Sequence, residues 1–356
     1  MAANPSPRPI LVLLLTERVM RYLKFFAMAL VLAVVSAASA AAQAPERRHV
    51  TVGAGGSPFY YLPLVVGNEM GFFKEQGLDL TINDFGGGAK ALQALVGGSV
   101  EVVPGAYEHT IRMQVKGQDI RAVIELGRLP GIALAVSKKH AATYKSLEDL
   151  KGMKIGVTAP GSSTHFLVMY MMSKAGIDPK SASYIAVGAS GSAVAAVKNG
   201  DIDAISNLDP VLTRLQLDNE IKLVADTRTV DGTKAIFGAT NPACVLLVKQ
   251  SFIDSNPNTV QALVNGFYKT LRWMEKATVE EIIAKMPEKF RLGDLSFMVT
   301  ALTNNRQTYS TTGVIPREGM KSVYDMLAQF DDEVRDSKLD LAKTFDGRFL
   351  EKAASK

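Results

Sequence analysis

Residues 78–105, LDLTINDFGGGAKALQALVGGSVEVVPG, contain two predicted strands with a helix between them. Apolar and polar side chains alternate from Leu78 to Ile82, which indicates one strand, and the valine-rich run VEVV at 100–103 indicates another. Glycines bound the intervening run on both sides, which predicts that it is a helix. Strand, helix and strand in this order are typical of a mostly parallel sheet with helices on its faces.

The same alternation continues on both sides of this unit. GIALAVSKK at 131–139 predicts a strand that leaves the first lobe, and ACVLLVKQ at 243–250 predicts one that returns to it. From Pro257 onward the patterns are mainly helical. We therefore expect an α/β fold of two lobes joined by a two-strand hinge, with a ligand cleft between them. The predicted lobes are residues 45–137 with 244–356, and residues 138–243.

Residues 1–44 are predicted to be a signal peptide rather than part of the fold. Arg21 and Lys24 precede the apolar run Phe25–Val35, and small residues typical of a cleavage site follow it. A membrane anchor is the alternative, but this run is short for a span. The pattern favours Met20 as the true start. It also predicts export to the periplasm, with no stable membrane insertion after cleavage.

Composition limits the classes of function. The chain has 356 residues, of which 47% are hydrophobic and 21% charged, so it is globular and long enough for two domains. Its formal net charge is +5, but residues 1–42 hold four basic residues and one acidic residue, which leaves about +2 for the remainder. No basic cluster interleaved with aromatic residues occurs, so nucleic-acid binding is not expected. The single cysteine, Cys244, excludes intrachain disulfides and thiolate zinc sites and is predicted to be a buried core thiol.

Motifs for nucleotide binding and for hydrolysis are incomplete. GAGGSP at 53–58 lacks the third glycine of a dinucleotide site, and no Walker A or G-x-S-x-G motif is present. Ser162 or Ser163 with His165 is a poor nucleophile and base pair, because side chains so close on one helical turn point in different directions. No cofactor is expected. A metal held by Glu108, His109 and His165 has suitable residue types but no ligand spacing, so we expect no metal site.

Three junctions between a strand and a helix carry glycines or hydroxyl residues, at 53–61, 85–90 and 158–166. In open α/β sheets ligands bind at the carboxyl ends of strands, where the first N–H groups of the following helix are unpaired. The three hydroxyls of SST at 162–164 add donors. Either these junctions face a ligand cleft, or the hydroxyls only cap their helix.

Further candidates lie at other strand ends. Tyr107 and Glu108 are placed at a helix start facing the cleft, or else they belong to a solvated first turn. Asn207 and Asp209 either contact ligand, or Asp209 caps the helix that follows it. Arg128, just before the hinge, is either a fixed positive charge for a ligand anion or a surface residue.

Four segments together resemble the periplasmic solute-binding proteins of the nitrate/sulfonate/taurine type, a group that also contains the thiamine-pyrimidine synthase-like domain. They are PLVVGNEMGFFKEQGLDLTI (63–82), GGAKALQALVGGSVEV (87–102), SLEDLKGMKIGV (146–157) and GSAVAAVKNGDIDAI (191–205), the last followed by Asp209-Pro210. The likeness covers roughly residues 49–275. It implies a periplasmic binding protein of type II that closes around a small solute and delivers it to an ABC permease and its ATPase. We expect a monomer without enzymatic activity.

The resemblance also implies a set of ligand-binding residues. Carried over to this chain, they are Ser57, Pro58, Tyr60, Gly87, Gly88, Ala89, Gly105, Ala106, Tyr107, Ser162, Ser163, Thr164, Asn207 and Asp209. Donors at a helix start suit a sulfonate or carboxylate. Tyrosines and Phe166 near the expected cleft favour an organic ligand with an apolar or aromatic body, whereas Glu108 and Asp209 leave a cationic or zwitterionic ligand open. The alternative function is an exported enzyme or a sensory ligand-binding module on the same fold.

Overall fold

A computed structural model describes residues 44–355, apart from residues 56 and 292 and the side chain of Lys289. The predicted signal peptide therefore lies, except for Ala44, outside the described residues. The strands are β1 (His49–Ala54), β2 (Asp79–Asp84), β3 (Val102–Ala106), β4 (Ile120–Glu125), β5 (Ile132–Ser137), β6 (Lys154–Val157), β7 (Ser183–Ala186), β8 (Ala204–Leu208), β9 (Ile221–Asp226) and β10 (Cys244–Lys249). The α-helices are α1 (Leu62–Glu69), α2 (Gly88–Gly97), α3 (Glu108–Val115), α4 (Ser163–Lys174), α5 (Gly191–Lys198), α6 (Val211–Leu217), α7 (Val230–Phe237), α8 (Gln250–Ser255), α9 (Pro257–Lys276), α10 (Val279–Ala284), α11 (Leu295–Asn305), α12 (Arg317–Ala328), α13 (Asp332–Arg335) and α14 (Arg348–Ala354).

The first sheet has the strand order β2-β1-β3-β10-β4. Strand β1 pairs in parallel with β2 and β3, so that Val52 lies opposite Ile82 on one side and Val102 on the other. The unit predicted from residues 78–105 is therefore confirmed. Helix α2 ends where Gly98 adopts a φ of +79°, a left-handed conformation that favours glycine. Strand β10 returns to this sheet and pairs antiparallel with β3 and β4, as expected.

The second sheet has the order β7-β6-β8-β5-β9. Strand β6 pairs in parallel with β7 and β8, and β5 pairs antiparallel with β8 and β9. One boundary of the predicted lobes needs correction, because residues 132–137 belong to this second sheet rather than to the first. Strand β5 belongs to this sheet because it is hydrogen-bonded to β8 on one side and to β9 on the other, and a strand pattern alone does not reveal such neighbours.

The chain crosses between the sheets at residues 126–131 and 238–243. The two crossings are hydrogen-bonded to each other. Ala243 N donates to Gly127 O at 2.9 Å, and the amides of Leu126 and Gly127 donate to Cys244 O at 2.7 and 2.9 Å. The crossing segments therefore lie side by side, an arrangement that suits a hinge.

The C-terminal region is helical, as predicted, and packs mainly against the first sheet. Helix α9 buries one face, which includes Leu263 and Phe267, against α1 and α14. Helix α11 instead contacts α6, which lies next to the second sheet. There the guanidinium of Arg214 lies 4.2 Å from the ring centre of Phe297, and Asn304 Nδ2 donates to Thr213 Oγ1 at 3.0 Å. The segment 244–356 therefore touches both lobes.

Cys244 begins β10 and is 2% exposed, which confirms the predicted core thiol. Burial raises its pKa well above the ordinary value. None of the helices in the described part of the chain is long and apolar enough to cross a membrane.

Candidate functional site

Three helix starts meet between the two sheets: those of α2, α3 and α4. Their N-cap residues are Gly87, Tyr107 and Ser162, and none of the three makes a side-chain capping bond. The first N–H groups of a helix have no partner within the helix, so uncapped starts present donors to whatever lies in front of them. Helices α2 and α3 follow strands of the first sheet and α4 follows a strand of the second, so these donors face one another across a cleft.

The two sides of the cleft are in contact. Ser162 Oγ does not cap α4 but accepts the N–H of Ala89 at 2.9 Å. Ser57 Oγ donates to the carbonyl oxygen of Asp209 at 2.8 Å. Ser163 Oγ donates to Glu108 Oε1 at 2.5 Å. Three serine side chains thus form hydrogen bonds between the first lobe and the second.

Gly87 permits this close approach. A Cβ built on Gly87 would lie 3.0 Å from the Cβ of Ala159, on the opposite side of the cleft. Gly88 faces the same space, where a Cβ would lie 3.7 Å from His109 Nε2 and 3.8 Å from Ser162 Oγ. The glycine turn of residues 86–88 therefore brings the start of α2 against the second lobe.

Three small cavities remain in the cleft, and Tyr60 lines all of them. Their volumes are about 20, 10 and 20 Å³, room for about one water molecule each. A solute larger than water therefore requires the lobes to separate. The first, apolar cavity is lined by Tyr60, Glu108, Pro130, Ile132, Ser163, Phe166, Leu167, Phe237, Asn241, Ala243 and Met326. The second is lined by Tyr60, Gly127, Leu129, Pro130, Gly131, Leu208, Asp209, Cys244, Asn305, Thr308 and Tyr309. The third, at the helix starts, is lined by Gly55, Tyr60, Tyr61, Gly88, Ala106, His109, Ile132, Thr158, Ser162, Ser163, Thr164 and Leu208.

Two polar side chains at these cavities are buried without a hydrogen-bond partner among the described residues. They are Tyr60, through its hydroxyl, and His109, through both ring nitrogens. Burial lowers the pKa of His109 to about 3, and the nearby Arg112 adds to this effect, so the ring is neutral and offers one donor and one acceptor. Unpaired buried polar groups cost about 1–3 kcal/mol each. A ligand in the cleft would supply the missing partners.

Glu108 is the carboxyl group of the apolar cavity and is 4% exposed. Burial raises its pKa to about 7, and the bond from Ser163 and the charge of Arg112 only partly offset this effect. The three cavities have no lysine or arginine among their lining residues in the described part of the chain. The carboxyl therefore titrates near neutral pH in a cleft without a neutralising cation.

Two other predicted site residues, Thr164 and Asn207, form hydrogen bonds within the second lobe. Thr164 Oγ1 accepts the N–H of Thr158 at 3.0 Å, and so ties the start of α4 to the end of β6. Asn207 Nδ2 donates to Gly188 O at 2.9 Å, and its Oδ1 accepts the N–H of Leu208, also at 2.9 Å. Thr164 contributes to the lining of the third cavity, whereas Asn207 lines none of the three.

The carboxylate of Asp209 bonds to other groups of the protein. These bonds favour the alternative in which Asp209 caps the following helix over the one in which it contacts ligand. Its Oδ1 accepts the N–H of Thr213 at 2.7 Å, and its Oδ2 accepts from Arg228 Nη1 at 3.0 Å and from Asn305 Nδ2 at 2.5 Å. Arg228 also pairs with Asp226 and is itself buried. No local pattern indicates this buried pair, since Arg228 and Asp209 follow different strands.

Several of the predicted ligand-binding residues do not line these cavities. Tyr107 does not face the cleft: its hydroxyl bonds to that of Thr344, and the ring is buried among helices of the first lobe. Residue 107 precedes the first turn of α3, and the helix direction turns its side chain toward the core. Arg128 does not line the cavities, because its Nε donates to Gln307 O at 2.9 Å. Pro58, Gly87, Ala89 and Gly105 also contribute no lining, and a Cβ on Gly105 would lie 2.8 Å from Leu247 Cδ1 inside the sheet.

The residues considered for a metal do not converge. His165 Nδ1 accepts the N–H of Gly161 at 3.0 Å, and no group of three potential metal ligands forms within the described ranges. His109 lines the third cavity, although the sequence suggested it only as a possible metal ligand. Its signal was available, because it follows Glu108 on the first turn of α3. Pro130, Ile132, Phe237 and Asn241 had no local signal, since they reach the cleft from the crossings and their neighbours.

Comparisons with known proteins agree with this architecture. Residues 43–287 match the NMT1-like family. The chain belongs to the NMT1-like family. YtlA of Bacillus subtilis is 22% identical over 266 residues, which are 70% of this chain and 73% of that protein. The nitrate/nitrite binding protein NrtA of Nostoc is 24% identical over 250 residues, which are 63% of this chain and 53% of NrtA. The chain thus spans about half the length of NrtA.

Solved structures show the same fold. A Bordetella bronchiseptica protein has a TM-score of 0.85 and 44% identity, covering 88% of this chain and 99% of its own. The alkanesulfonate-binding protein SsuA of Xanthomonas axonopodis, solved bound to MOPS, has a TM-score of 0.64 and 17% identity, with 85% and 99% covered. These findings confirm the predicted periplasmic-binding-protein fold and the resemblance to the nitrate/sulfonate group. A shorter match of 97 residues, 29% identical and covering 27% of this chain and 28% of its own, is to the pyrimidine phosphate synthase THI12 of Saccharomyces cerevisiae.

Proposed function

We propose that this chain is an exported, non-enzymatic solute-binding receptor of an ABC importer. It would capture a small organic solute between its lobes and pass it to a permease with its ATPase. The single observation that carries the proposal is the cleft at Tyr60, where unpaired polar groups and three uncapped helix starts meet between two lobes. The family, and relatives named as binding proteins, support it.

Two features support an acidic group on the solute, a sulfonate or a carboxylate. The starts of α2 and α4 converge on the third cavity, and N–H groups at the positive ends of helix dipoles favour an anion there. The Ser162 hydroxyl accepts from Ala89, so its own proton stays available as a donor. The apolar cavity beside it, with Phe166 and Phe237, would hold an aromatic or aliphatic body.

A thermal-shift assay against small organic acids tests this function. A solute present at 100 times its Kd stabilises the folded protein by about 2.7 kcal/mol, enough to raise Tm by several degrees. We expect at least one class of sulfonate or carboxylate to raise Tm, with the solute recovered unchanged. A folded protein that responds to no member of the panel would contradict the proposal.

The alternative is an exported enzyme, or a sensory module, on the same fold. The observation that favours an enzyme is the proximity of Glu108 and neutral His109 to adjoining cavities, since both residue types serve in proton transfer. Mass spectrometry of the solute after incubation distinguishes the two, because only an enzyme converts it to product.

A further inference from the structure

We infer that Glu108 selects solutes that present a positively charged or N–H-donating nitrogen to it, so that the ligand is zwitterionic rather than a plain anion. The inference rests on the proposed function and assigns the chemistry of that same cleft. It starts from the charges that line the cleft. Glu108 and Asp209 are the acidic residues of the three cavities, and the described lining includes no lysine or arginine.

Asp209 is already neutralised, whereas Glu108 is not. Arg228 Nη1 lies 3.0 Å from Asp209 Oδ2, and both side chains are almost fully buried. The cation nearest to Glu108 along the chain is Arg112, one turn further on α3. Its Nε donates to Asp331 Oδ2 at 2.9 Å, and its guanidinium lies 4.8 Å from the ring centre of Phe166. The hydrogen bond of Arg112 thus goes to Asp331, and among the described residues Ser163 is the side chain that bonds to the carboxyl of Glu108.

A carboxylate accepts about four hydrogen bonds, and here the Ser163 hydroxyl and the backbone N–H of Glu108 itself supply two of them. The remaining capacity faces a cavity whose other walls are mainly apolar, including Ile132, Phe166 and Met326. Besides Ser163, the donors in this lining are the hydroxyl of Tyr60 and the side-chain amide of Asn241, which donates to Ser322 Oγ at 3.4 Å. Within the cavity a charged nitrogen on the solute would pair with Glu108, and such charge-assisted bonds are about twice as strong as neutral ones.

A solute that carries only a negative charge has no nitrogen to pair with Glu108. Its charge would share a poorly solvated cleft with Glu108, and the two negative charges would repel strongly unless the carboxyl took up a proton. The acidic group is better placed at the starts of α2 and α4, in the third cavity with Gly88 and Ser162. Tyr60 and Ser163 line both cavities, so one solute can span from the helix starts to Glu108. The two ends of the cleft therefore suit the two charges of a zwitterion.

Calorimetric titration of matched pairs tests the inference. Each pair shares a skeleton and an acidic group but differs in the amine: taurine against ethanesulfonate, β-alanine against propanoate, and phenylalanine against phenylpropanoate. We expect that only amines bind, or that the amine of a pair binds at least about tenfold tighter. Glu108→Gln should reduce this preference to less than about threefold, because it removes the charge and keeps the shape. Glu148→Gln, at an exposed carboxyl paired with Lys151, is the control and should leave the preference unchanged.

Ser163→Ala provides a second variant if Glu108→Gln fails to fold. It removes the hydroxyl partner of Glu108 and leaves the carboxyl in place, so the preference for the amine should be kept. Tighter or equal binding of the plain acids to the unmodified protein would overturn the inference while leaving the receptor function intact. A preference that survives in folded Glu108→Gln would overturn it as well. If no member of any pair binds, the proposed function and this inference fall together.

Discussion

Ser162 occupies the N-cap position of α4, yet its hydroxyl accepts the N–H of Ala89, 2.9 Å away on the opposite lobe. An N-cap serine ordinarily accepts an N–H of its own helix. Here the capping group joins the lobes, and the first turn of α4 keeps its donors for the cleft. The Ser162 side chain thus helps to hold the lobes together and leaves N–H donors at the start of α4 available to a ligand.

Closure should be sensitive to the size of residue 87. In Gly87→Ala the new methyl would lie 3.0 Å from Ala159 Cβ, closer than unstrained carbons pack. The backbone there is extended, at a φ of −176°, so folding itself should be unaffected. We expect the affinity for solute to fall about tenfold with little change in Tm. Titration measures the affinity, with Gly97→Ala as the control because its Cβ would meet open space. Equal affinities of the two variants would show that the lobes do not close as described.

Tyr60→Phe should change the stability of the fold and the affinity for solute in opposite directions. The hydroxyl of Tyr60 is buried without a partner, and removing such a group relieves a desolvation cost of about 1–3 kcal/mol. The variant should therefore raise the free energy of unfolding by about 1 kcal/mol and weaken binding about tenfold. Denaturant unfolding and titration measure the two effects. A variant that is less stable than the unmodified protein would mean that the hydroxyl has a partner in the unliganded state.

Asp209→Ala should be strongly destabilising. It would remove a partner of Arg228, which is buried, and an acceptor of Asn305. Breaking a buried pair by deleting one partner costs about 3–5 kcal/mol, although Asp226 remains beside Arg228, so we expect about 3 kcal/mol. The control is Asp325→Ala, which removes an exposed pair with Lys321 and should change stability by less than about 1 kcal/mol. Similar denaturation midpoints for the two variants would contradict a structural role for Asp209.

Glu125 should make stability depend on pH. It is 3% exposed, accepts from Ser310 Oγ at 2.6 Å, and burial raises its pKa from 4.5 to about 7. The folded protein thus holds this proton more tightly than the unfolded chain. Its contribution is full below about pH 4.5 and is lost as the pH rises through 7.

Glu125→Gln keeps the acceptor for Ser310 but cannot ionise. Relative to the unmodified protein it should therefore gain stability as the pH rises from 4.5 to above 7, by no more than about 3 kcal/mol. Denaturant unfolding of both proteins across this pH range measures the difference in their free energies of unfolding. Other titrating groups contribute equally to both proteins and cancel in this difference. A difference independent of pH would show that Glu125 ionises normally in the folded protein.

The sequence predicts the elements well and their neighbours less well. Helix α4 begins at Ser163, within the predicted strand-to-helix junction at 158–166, because a hydroxyl turn before a long apolar run is a local signal. The position of β5 in the second sheet depends on pairing with β8 and β9, which no local pattern encodes. Only a tertiary contact, with Thr344, shows that Tyr107 points into the core. The same limit applies to Ile132 and Asn241, which reach the cleft from distant parts of the chain.

Calorimetric titration with the solute that raises Tm most, followed by mass spectrometry of the mixture, tests the central claim most directly. The account predicts saturable binding with one solute per chain, weakened in Tyr60→Phe, and recovery of the solute unchanged. A chemically altered solute, or binding that Tyr60→Phe leaves untouched, would contradict a receptor that closes around its ligand at this cleft.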